Sequence, residues 1–371
     1  RNSYKTGAFY FLLSRVIGAS FRMFLVVNVL QIFVFDAYGI PFWLTVVIFM
    51  ILINLYTFKG GIKTIVWTDT LQTTFMLVSV VLTVIFLKDY LGTTMGGLVQ
   101  QVADSDYSQI VFTNWQDKRF FVKEFISGVF IAIVMTGLDQ DMMQKNLSCR
   151  NLRDAQKNII SLSWVLVPVN FLFLSLGAAL MIFIREKGIE VEGTSDILFP
   201  EVALKHLGPV AAIVFIIGLI SAAYSSADSA LTSLTTSFTV DILGIKRRKN
   251  LDEKKRMAIR YRAHFGVALV LIVVIVFFKT INNEAVISEL FTVAGYTYGP
   301  LLGLFAFGLF TRRRVKDRWV PLVAVLSPVA CYLLSHFSQQ LFSGYQFGFE
   351  LLIVNGLLTF AGLLILSGRQ K

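Results

Sequence analysis

A Ser- and Thr-rich segment with a single carboxylate lies in an otherwise apolar part of this chain. It reads SAAYSSADSALTSLTTSF and covers residues 221–238. At about 100° per residue, the hydroxyls and Asp228 fall on one half of a helix, and alanines, leucines and a tyrosine fall on the other. Ser225, Ser226 and Ser229 lie within about one turn of that carboxylate, and hard cations prefer oxygen ligands of this kind. The segment therefore predicts a sodium site on a two-faced helix.

Close helix packing is the alternative explanation for so many small residues. Ser, Ala and Thr allow membrane helices to approach one another closely. Packing does not explain Asp228, because a charged side chain at mid-membrane costs about 2.5–3.5 kcal/mol on insertion scales. Asp228 therefore needs a partner or a cation.

A second carboxylate lies in the motif FKGGIKTIVWTDTLQ, residues 58–72. Gly60-Gly61 predicts a break between two helices. Asp69 follows Lys63 by six residues, which places it roughly 9 Å deeper along a helix. Asp69 is therefore a carboxylate at some depth in the membrane, and the alternative is that Trp67 and Asp69 are interfacial anchors.

The composition is that of an integral membrane protein. Of the 371 residues, 56% are hydrophobic and only 15% are charged, whereas soluble domains have about 25% charged residues. The net charge of +11 comes from short basic runs between apolar segments, a pattern typical of membrane topology rather than of nucleic-acid binding. Two cysteines and three scattered histidines indicate neither a disulfide framework nor a metal cluster. We find no nucleophile–base arrangement and no phosphate-binding loop, so we do not expect an enzyme.

Ten apolar runs are each long enough to span a bilayer. They cover approximately 8–34, 41–58, 64–87, 122–143, 158–184, 207–243, 262–279, 285–311, 319–341 and 346–367. If the N-terminus of this chain lies inside, most of its 34 Lys and Arg residues fall on the inner side, as the positive-inside rule requires. We therefore predict one multi-pass transmembrane domain over 1–371 in a plasma (inner) membrane. Because the chain starts with Arg1 directly before an apolar run, we expect it to begin partway through a larger protein.

Both motifs together resemble the sodium/solute symporter family, which includes sodium-coupled sugar, proline, pantothenate, iodide and sialic acid transporters. AGYTYGPLLGLFAFGLFTRR (294–313) is similar to that family's tenth core helix, and DQDMMQKNLSCRNLRDAQK (139–157) to its inner loop after the sixth. The resemblance implies an all-α fold of the leucine-transporter type with a five-plus-five inverted repeat. It also implies that the chain covers core helices three to twelve, with the first two absent.

The resemblance implies which residues bind sodium. The family's main site matches Ala222, through its carbonyl, with Ser225 and Ser226. A second site in some members matches Asp69, Ser225 and Ser229 with the position of Asp228. Serine is usual at that last position in the two-sodium members, so the second carboxylate departs from the pattern. It either strengthens cation binding or is protonated beside Asp69, since like charges raise one pKa, and the stoichiometry of one or two sodium ions stays open.

Substrate residues are predicted on three further segments. Family sugar transporters carry polar side chains at the positions matching Ala132 and Met135, so a hexose substrate is disfavoured. Arg22 matches an arginine that meets the substrate carboxylate in sialic-acid-transporting relatives, and a planar guanidinium suits that role. For Arg15, seven residues earlier, we favour snorkelling or pairing with a buried carboxylate such as Asp69 or Asp228. On the tenth core helix, Thr292, Tyr296, Thr297 and Tyr298 are candidates to face the site, and Gly299-Pro300 predicts a helix break.

The sequence thus predicts a sodium-coupled secondary active symporter that imports a small organic solute, such as a sugar acid. Its partners would be sodium ions, the solute and the lipid bilayer, with no cofactor other than the coupling ion. We expect a functional monomer, because an inverted repeat encloses its site within one chain. Two alternatives stay open: a membrane sensor module of a signalling protein, and a proton-coupled carrier using Asp69 and Asp228.

Overall fold

The fold is almost entirely helical. The computed structural model describes residues 2–57, 62–191, 194–248, 252–281 and 286–368, with the backbone alone at 56–57, 62–68 and 281. The long helices are α1 (Asn2–Leu30), α2 (Phe42–Thr57), α3 (Ile62–Tyr90), α5 (Phe121–Gly137), α7 (Leu152–Lys187), α9 (Gly208–Ser237), α10 (Glu253–Ile281), α11 (Val286–Phe310), α12 (Val320–His336) and α14 (Leu351–Ile365). The short helices are α4 (Met95–Ala103), α6 (Gln140–Leu147), α8 (Leu198–Glu201) and α13 (Ser338–Leu341). Two-residue strands, β1 (Arg314–Val315) and β2 (Ser367–Gly368), pair antiparallel.

Each of the ten predicted spans overlaps one of the long helices, but 122–143 also runs past a bend into α6, and 319–341 into α13. Six of the long helices (α1, α3, α7, α9, α10 and α11) are long and apolar enough to cross a membrane, and α5 with α6 forms a seventh candidate bent by 62°. Helices α2, α12 and α14 are shorter and apolar. Within the described residues the prediction of an all-helical, multi-pass membrane protein is therefore confirmed. The five-plus-five repeat stays a prediction, and the Gly60-Gly61 break lies outside the described residues.

The largest core forms where α1, α2, α9, α10 and α11 meet. Phe21 of α1 stacks on Phe278 of α10 with ring centroids 4.1 Å apart. Ala227, Leu231 and Leu234 of α9 are completely buried in this core. The apolar half of α9 thus packs inward against its neighbours, whereas Ser225 and Ser229 of the hydroxyl half contact α3 and α6.

Helix α7 shows the opposite pattern around its middle. Trp164, Val167, Phe171 and Leu174 are all exposed although they are large and apolar. Exposed apolar surface of this extent is typical of a face that contacts lipid.

Helix α11 runs unbroken through Pro300, so the predicted break at Gly299-Pro300 is wrong. Proline has no N–H to donate to the carbonyl four residues earlier, which here belongs to Tyr296. Asn355 of α14 supplies the missing donor, because its Nδ2 lies 3.0 Å from the carbonyl oxygens of both Gly295 and Tyr296. The freed carbonyl is thus satisfied across the helix interface, and the helix continues.

The same compensation occurs in α12, which contains Pro328. The carbonyl freed by this proline belongs to Ala324, and it accepts a 2.6 Å hydrogen bond from the hydroxyl of Tyr10 on α1. Such donors from neighbouring helices are how membrane proteins keep proline within a spanning helix. The bond also fixes α1 against α12.

Candidate functional site

Asp69 of α3 faces the hydroxyl side of α9. The Ser225 hydroxyl donates to Asp69 Oδ1 at 3.0 Å, and both side chains are partly buried. The predicted proximity of Asp69 to the hydroxyl helix is therefore present in the structure. Helices α3 and α9 pack along their length, and Gly218 of α9 makes this possible, since a Cβ there would lie 2.5 Å from Cβ of Ser79.

A lysine lies in the same cluster, and it comes from the short helix α6. Lys145 Nζ is 2.8 Å from Asp69 Oδ2 and 3.0 Å from Asp141 Oδ2. It also lies 3.4 Å from the Ser229 hydroxyl of α9. The ammonium is thus held by oxygens from three helices. We call Asp69, Asp141, Ser229 and Lys145 the lysine cage.

Asp228 borders the lysine cage and is completely buried. One of its carboxylate oxygens, Oδ1, accepts a 2.5 Å hydrogen bond from the backbone N–H of Ser229. Its other oxygen, Oδ2, is buried and has no hydrogen-bond partner among the described residues. Its electrostatic neighbours include Asp69, Asp141 and Lys145. The residues predicted for the second site therefore lie near one another, with a lysine among them.

The residues of the predicted main sodium site lie one turn apart on α9. Ala222, Ser225 and Ser226 occupy positions i, i+3 and i+4, which lie on one face of a helix. All three are partly buried. Ser226 makes no side-chain hydrogen bond within the described residues, and the Ser225 oxygen keeps its lone pairs because it acts as a donor to Asp69. Three oxygens, the Ala222 carbonyl included, are thus able to face a cation.

Arg15 of α1 forms a buried ion pair at the junction of α5 and α6. Its Nη1 is 2.7 Å from Asp139 Oδ2, with the two side chains only 11% and 2% exposed. Asp139 also caps α6, because its Oδ1 accepts from the backbone N–H of Asp141 at 2.8 Å and of Met142 at 3.3 Å. The expectation that Arg15 pairs with a buried carboxylate is confirmed, but the partner is Asp139 rather than Asp69 or Asp228.

Arg22, two turns further along α1, has a different environment. Its Nε donates to the carbonyl of Gly18 in its own helix at 3.1 Å. No carboxylate pairs with it in the part of the chain that the structure describes. Tyr298 of α11 is among its electrostatic neighbours, as is Arg15. A guanidinium with its terminal nitrogens unpaired inside a membrane-spanning helix is available to an anionic ligand.

The remaining predicted substrate residues are spread over α5 and α11. Ala132 is exposed, and Met135 packs between two core clusters. Thr292 is exposed and bonds to the carbonyl of Ser288 within α11. The Tyr296 ring packs against Tyr332 of α12, with centroids 6.4 Å apart. Of the α11 candidates, Tyr298 is the one that neighbours Arg22.

A cavity of about 700 Å³ lies beside the α5–α6 junction. Phe11 of α1, Leu138 and Phe305 of α11 contribute to its mostly apolar wall, and Asp241 is at its polar end. Arg22 is not part of this wall. The volume is large enough for a small organic molecule.

Sequence reasoning missed Lys145, Asp139 and Asp141 as members of the site. All three lie in the DQDMMQK part of 139–157, which the resemblance assigns to an inner loop. The i, i+4 spacing of Asp141 and Lys145 was the available signal, since such pairs meet on a helix. What the sequence did not indicate is the 62° bend between α5 and α6, which returns α6 to the protein.

Comparison with known proteins identifies relatives of this chain. Residues 16–317 match the sodium:solute symporter family. The chain is 28% identical over 293 residues to the sodium/sialic acid symporter NanT of Aliivibrio fischeri, covering 76% of this chain and 56% of that protein. It is 26% identical over 319 residues to sodium/glucose cotransporter 1 of Oryctolagus cuniculus, covering 76% of this chain and 47% of that protein.

A solved structure has the same fold. It is a Na⁺-coupled sialic acid symporter in a substrate-bound, outward-open state, with a TM-score of 0.79 and 18% sequence identity, covering 98% of this chain and 75% of the other. The chain spans about half the length of the curated relatives it matches. Since the family match extends over most of the sequence, the chain belongs to the sodium:solute symporter family.

Proposed function

We propose that the protein is a sodium-coupled secondary active symporter that imports a small organic solute by alternating access. The observation that carries this proposal is the position of Ser225 and Ser226, which are partly buried on a membrane-spanning helix, with Ser225 bonded to Asp69. Relatives that bear the name of sodium symporters or cotransporters support it. Binding and movement suffice for this activity, and no covalent step is involved.

Sodium is assigned to the face formed by Ala222, Ser225 and Ser226. A carbonyl and two hydroxyls are hard oxygen ligands of the kind that alkali and alkaline-earth cations prefer. In the resemblance to the family, carbonyls of the first core helix complete this site. The full protein is therefore required for the assay below.

The driving force is sufficient for strong accumulation. One charge that crosses a potential of about 100 mV releases about 2.3 kcal/mol. A tenfold sodium gradient adds roughly 1.4 kcal/mol. One sodium ion per cycle then sustains a solute gradient of roughly several hundredfold.

The solute is proposed to carry a carboxylate. Arg22 is an intramembrane cation without a carboxylate partner among the described residues, and a guanidinium binds carboxylates in a bidentate manner. Ala132 and Met135 offer no side-chain hydrogen bonds of the kind that a hexose needs. Together these residues favour a sugar acid over a neutral sugar.

The protein is proposed to act as a monomer in the plasma (inner) membrane, with the N-terminal end of this chain inside. The basic segments at 246–262 and 312–318 then lie on the inner surface, in accordance with the positive-inside rule.

Uptake by the full-length protein in proteoliposomes tests the proposal. The panel comprises sugar acids, monocarboxylates, amino acids and neutral sugars, each with an inward sodium gradient and with potassium in its place. We expect uptake of a carboxylate-bearing solute that requires sodium and is lost in Ser226→Ala. Uptake of every solute that is indifferent to sodium would contradict the proposal.

Proton coupling is a second candidate, and one observation favours it. The carboxylate of Asp228 is completely buried and its Oδ2 has no partner within the described residues. An inward proton gradient that drives uptake without sodium, with loss in Asp69→Ala and retention in Ser226→Ala, would establish this candidate instead.

A further inference from the structure

The lysine cage lies where the family resemblance implies a second sodium ion. Lys145 Nζ is 2.8 Å from Asp69 and 3.4 Å from Ser229, two of the residues assigned to that site. Of the other two, Ser225 donates to the other oxygen of Asp69 at 3.0 Å, and Asp228 borders the cage. Two of the four residues assigned to that site thus already contact a positive charge.

An ammonium and a sodium ion make competing demands on this cage. Both are monovalent and both bind hard oxygens. Two of the three oxygens that contact Lys145, those of Asp69 and Ser229, belong to residues that sodium would need. Two positive charges a few ångströms apart also repel strongly where water does not screen them. The residues present therefore do not fit a second sodium ion while Lys145 is in place.

Lys145 is fixed in the cage from two directions. Asp141, one turn before it on α6, holds Nζ at 3.0 Å from the same helix. Asp69 holds it from α3 at 2.8 Å. Helix α6 itself is anchored by its capping residue Asp139, whose other oxygen pairs with Arg15 at 2.7 Å. The backbone that carries Lys145 is thus held in place independently of the lysine side chain.

We infer that the Lys145 ammonium is the resident cation of this cage, so that the protein binds one sodium ion per transport cycle. That sodium ion binds at Ala222, Ser225 and Ser226. The inference rests on the proposed sodium-coupled symport and specifies its stoichiometry.

The charges of the cage predict a gain of function when the lysine is removed. Asp69, Asp141 and Asp228 are electrostatic neighbours, with Lys145 among them. Without the ammonium, these carboxylates and the hydroxyls of Ser225 and Ser229 face one another with no positive charge between them. Hard oxygen donors with uncompensated negative charge then attract sodium, so Lys145→Met creates a second sodium site.

The experiment compares wild type and Lys145→Met in the full-length protein. We would measure equilibrium binding of radioactive sodium to purified protein and the sodium dependence of solute uptake in proteoliposomes. The expected binding capacity rises from about one to about two sodium ions per protein, and the Hill coefficient for sodium from about 1 to about 2. Lys157→Met, which removes an exposed lysine of α7, is the matched control and keeps the wild-type values.

Two further variants keep the inference testable if Lys145→Met does not fold. Lys145→Arg retains the positive charge and is expected to bind one sodium ion. Asp69→Asn in the wild-type background is also expected to bind one, because Asp69 is occupied by lysine and not by sodium.

Wild-type protein that binds two sodium ions would overturn the assignment, as would a folded Lys145→Met variant that still binds one. These results leave sodium-coupled uptake intact and are therefore distinct from failure of the proposed function. That failure is recognised by wild-type uptake without sodium dependence, and the assignment falls with it.

Discussion

Arg15 and Arg22 lie on one helix, two turns apart, and differ in what they contact. Arg15 is buried against Asp139 at 2.7 Å, whereas Arg22 bonds only to the carbonyl of Gly18 within the described residues. A charge inside a membrane is costly unless a partner compensates it. The pair involving Arg15 therefore stabilises the α1–α5–α6 junction, and the free guanidinium of Arg22 is left for a ligand.

The two arginines have the same residue type but different partners, and the partner decides whether the charge is structural or functional. Both arginines are seven residues apart and face the same way by helical periodicity. The 62° bend after α5 allows Asp139 to pair with Arg15. This ion pair gives the two arginines different roles. Loss of the Arg15 pair should therefore lower stability, whereas loss of the Arg22 charge should weaken ligand binding.

The largest expected effect is on the Arg15 pair. Asp139→Asn leaves Arg15 as an uncompensated buried charge, and the loss of one partner of such a pair costs about 3–5 kcal/mol. Thermal unfolding in detergent measures the loss. The double variant Arg15→Met with Asp139→Asn should regain much of the stability, because no charge is then left unpaired.

Arg119→Met, which breaks a solvent-exposed pair with Asp117, is the control and should not change the melting temperature. If Asp139→Asn proved as stable as this control, the Arg15 pair would not be structural.

An uncharged side chain, that of Asn355, should also stabilise the fold by compensating a buried polar group, with a smaller effect on stability. Asn355→Leu removes the side-chain donor to the Gly295 and Tyr296 carbonyls. It also removes one of the two acceptors of the Ser327 hydroxyl, which keeps the backbone carbonyl of residue 355. Each buried group left without a partner costs about 1–3 kcal/mol. Chemical or thermal unfolding checks this, with the exposed Asn158→Leu as control; equal stability of the two variants would argue against the compensation of Pro300 by Asn355.

Arg22→Met should separate binding from stability. Hydrogen bonds to charged groups contribute about 1.5–3 kcal/mol, so affinity for a carboxylate solute should fall about tenfold to a hundredfold or more. The melting temperature should change little, because no carboxylate partner is orphaned. Competition of uptake by the acid and by its neutral amide measures the effect; equal weakening of both would show that Arg22 does not recognise the carboxylate.

The smallest expected effect is that of Arg22→Lys. The charge remains but the bidentate geometry is lost, so the affinity for the acid should fall by less than in Arg22→Met, about tenfold at most. The same competition assay ranks the two variants. A loss as large as that of the methionine variant would mean that geometry, and not charge, governs recognition.

Much of the architecture follows from the sequence because it depends on local patterns. Apolar runs locate the helices, and the two-faced pattern of 221–238 predicts both the buried apolar half of α9 and its oxygen-lined half. The contact between Asp69 and Ser225 was reached through the resemblance of two motifs to one family, not through spacing.

What sequence reasoning missed depends on groups brought together from distant parts of the chain. Pro300 predicted a break, but an asparagine 55 residues later satisfies the freed carbonyl. Lys145 looked like a topology signal, but the bend before α6 directs it to Asp69, 76 residues earlier. Neither Asn355 nor Asp69 is recognisable as a partner from the sequence around Pro300 or Lys145. The roles of Pro300 and Lys145 depend on those partners.

Direct binding of sodium to the full-length protein is the measurement that tests the central claim. We would titrate purified wild-type protein, Ser226→Ala and Ser233→Ala with radioactive sodium; Ser233 is a buried serine of the same helix that bonds to the Ala230 carbonyl. We expect saturable binding in wild type and in Ser233→Ala, with a loss of tenfold or more in affinity, about 1.4 kcal/mol, in Ser226→Ala. Equal sodium affinity in all three proteins would contradict the sodium site on α9.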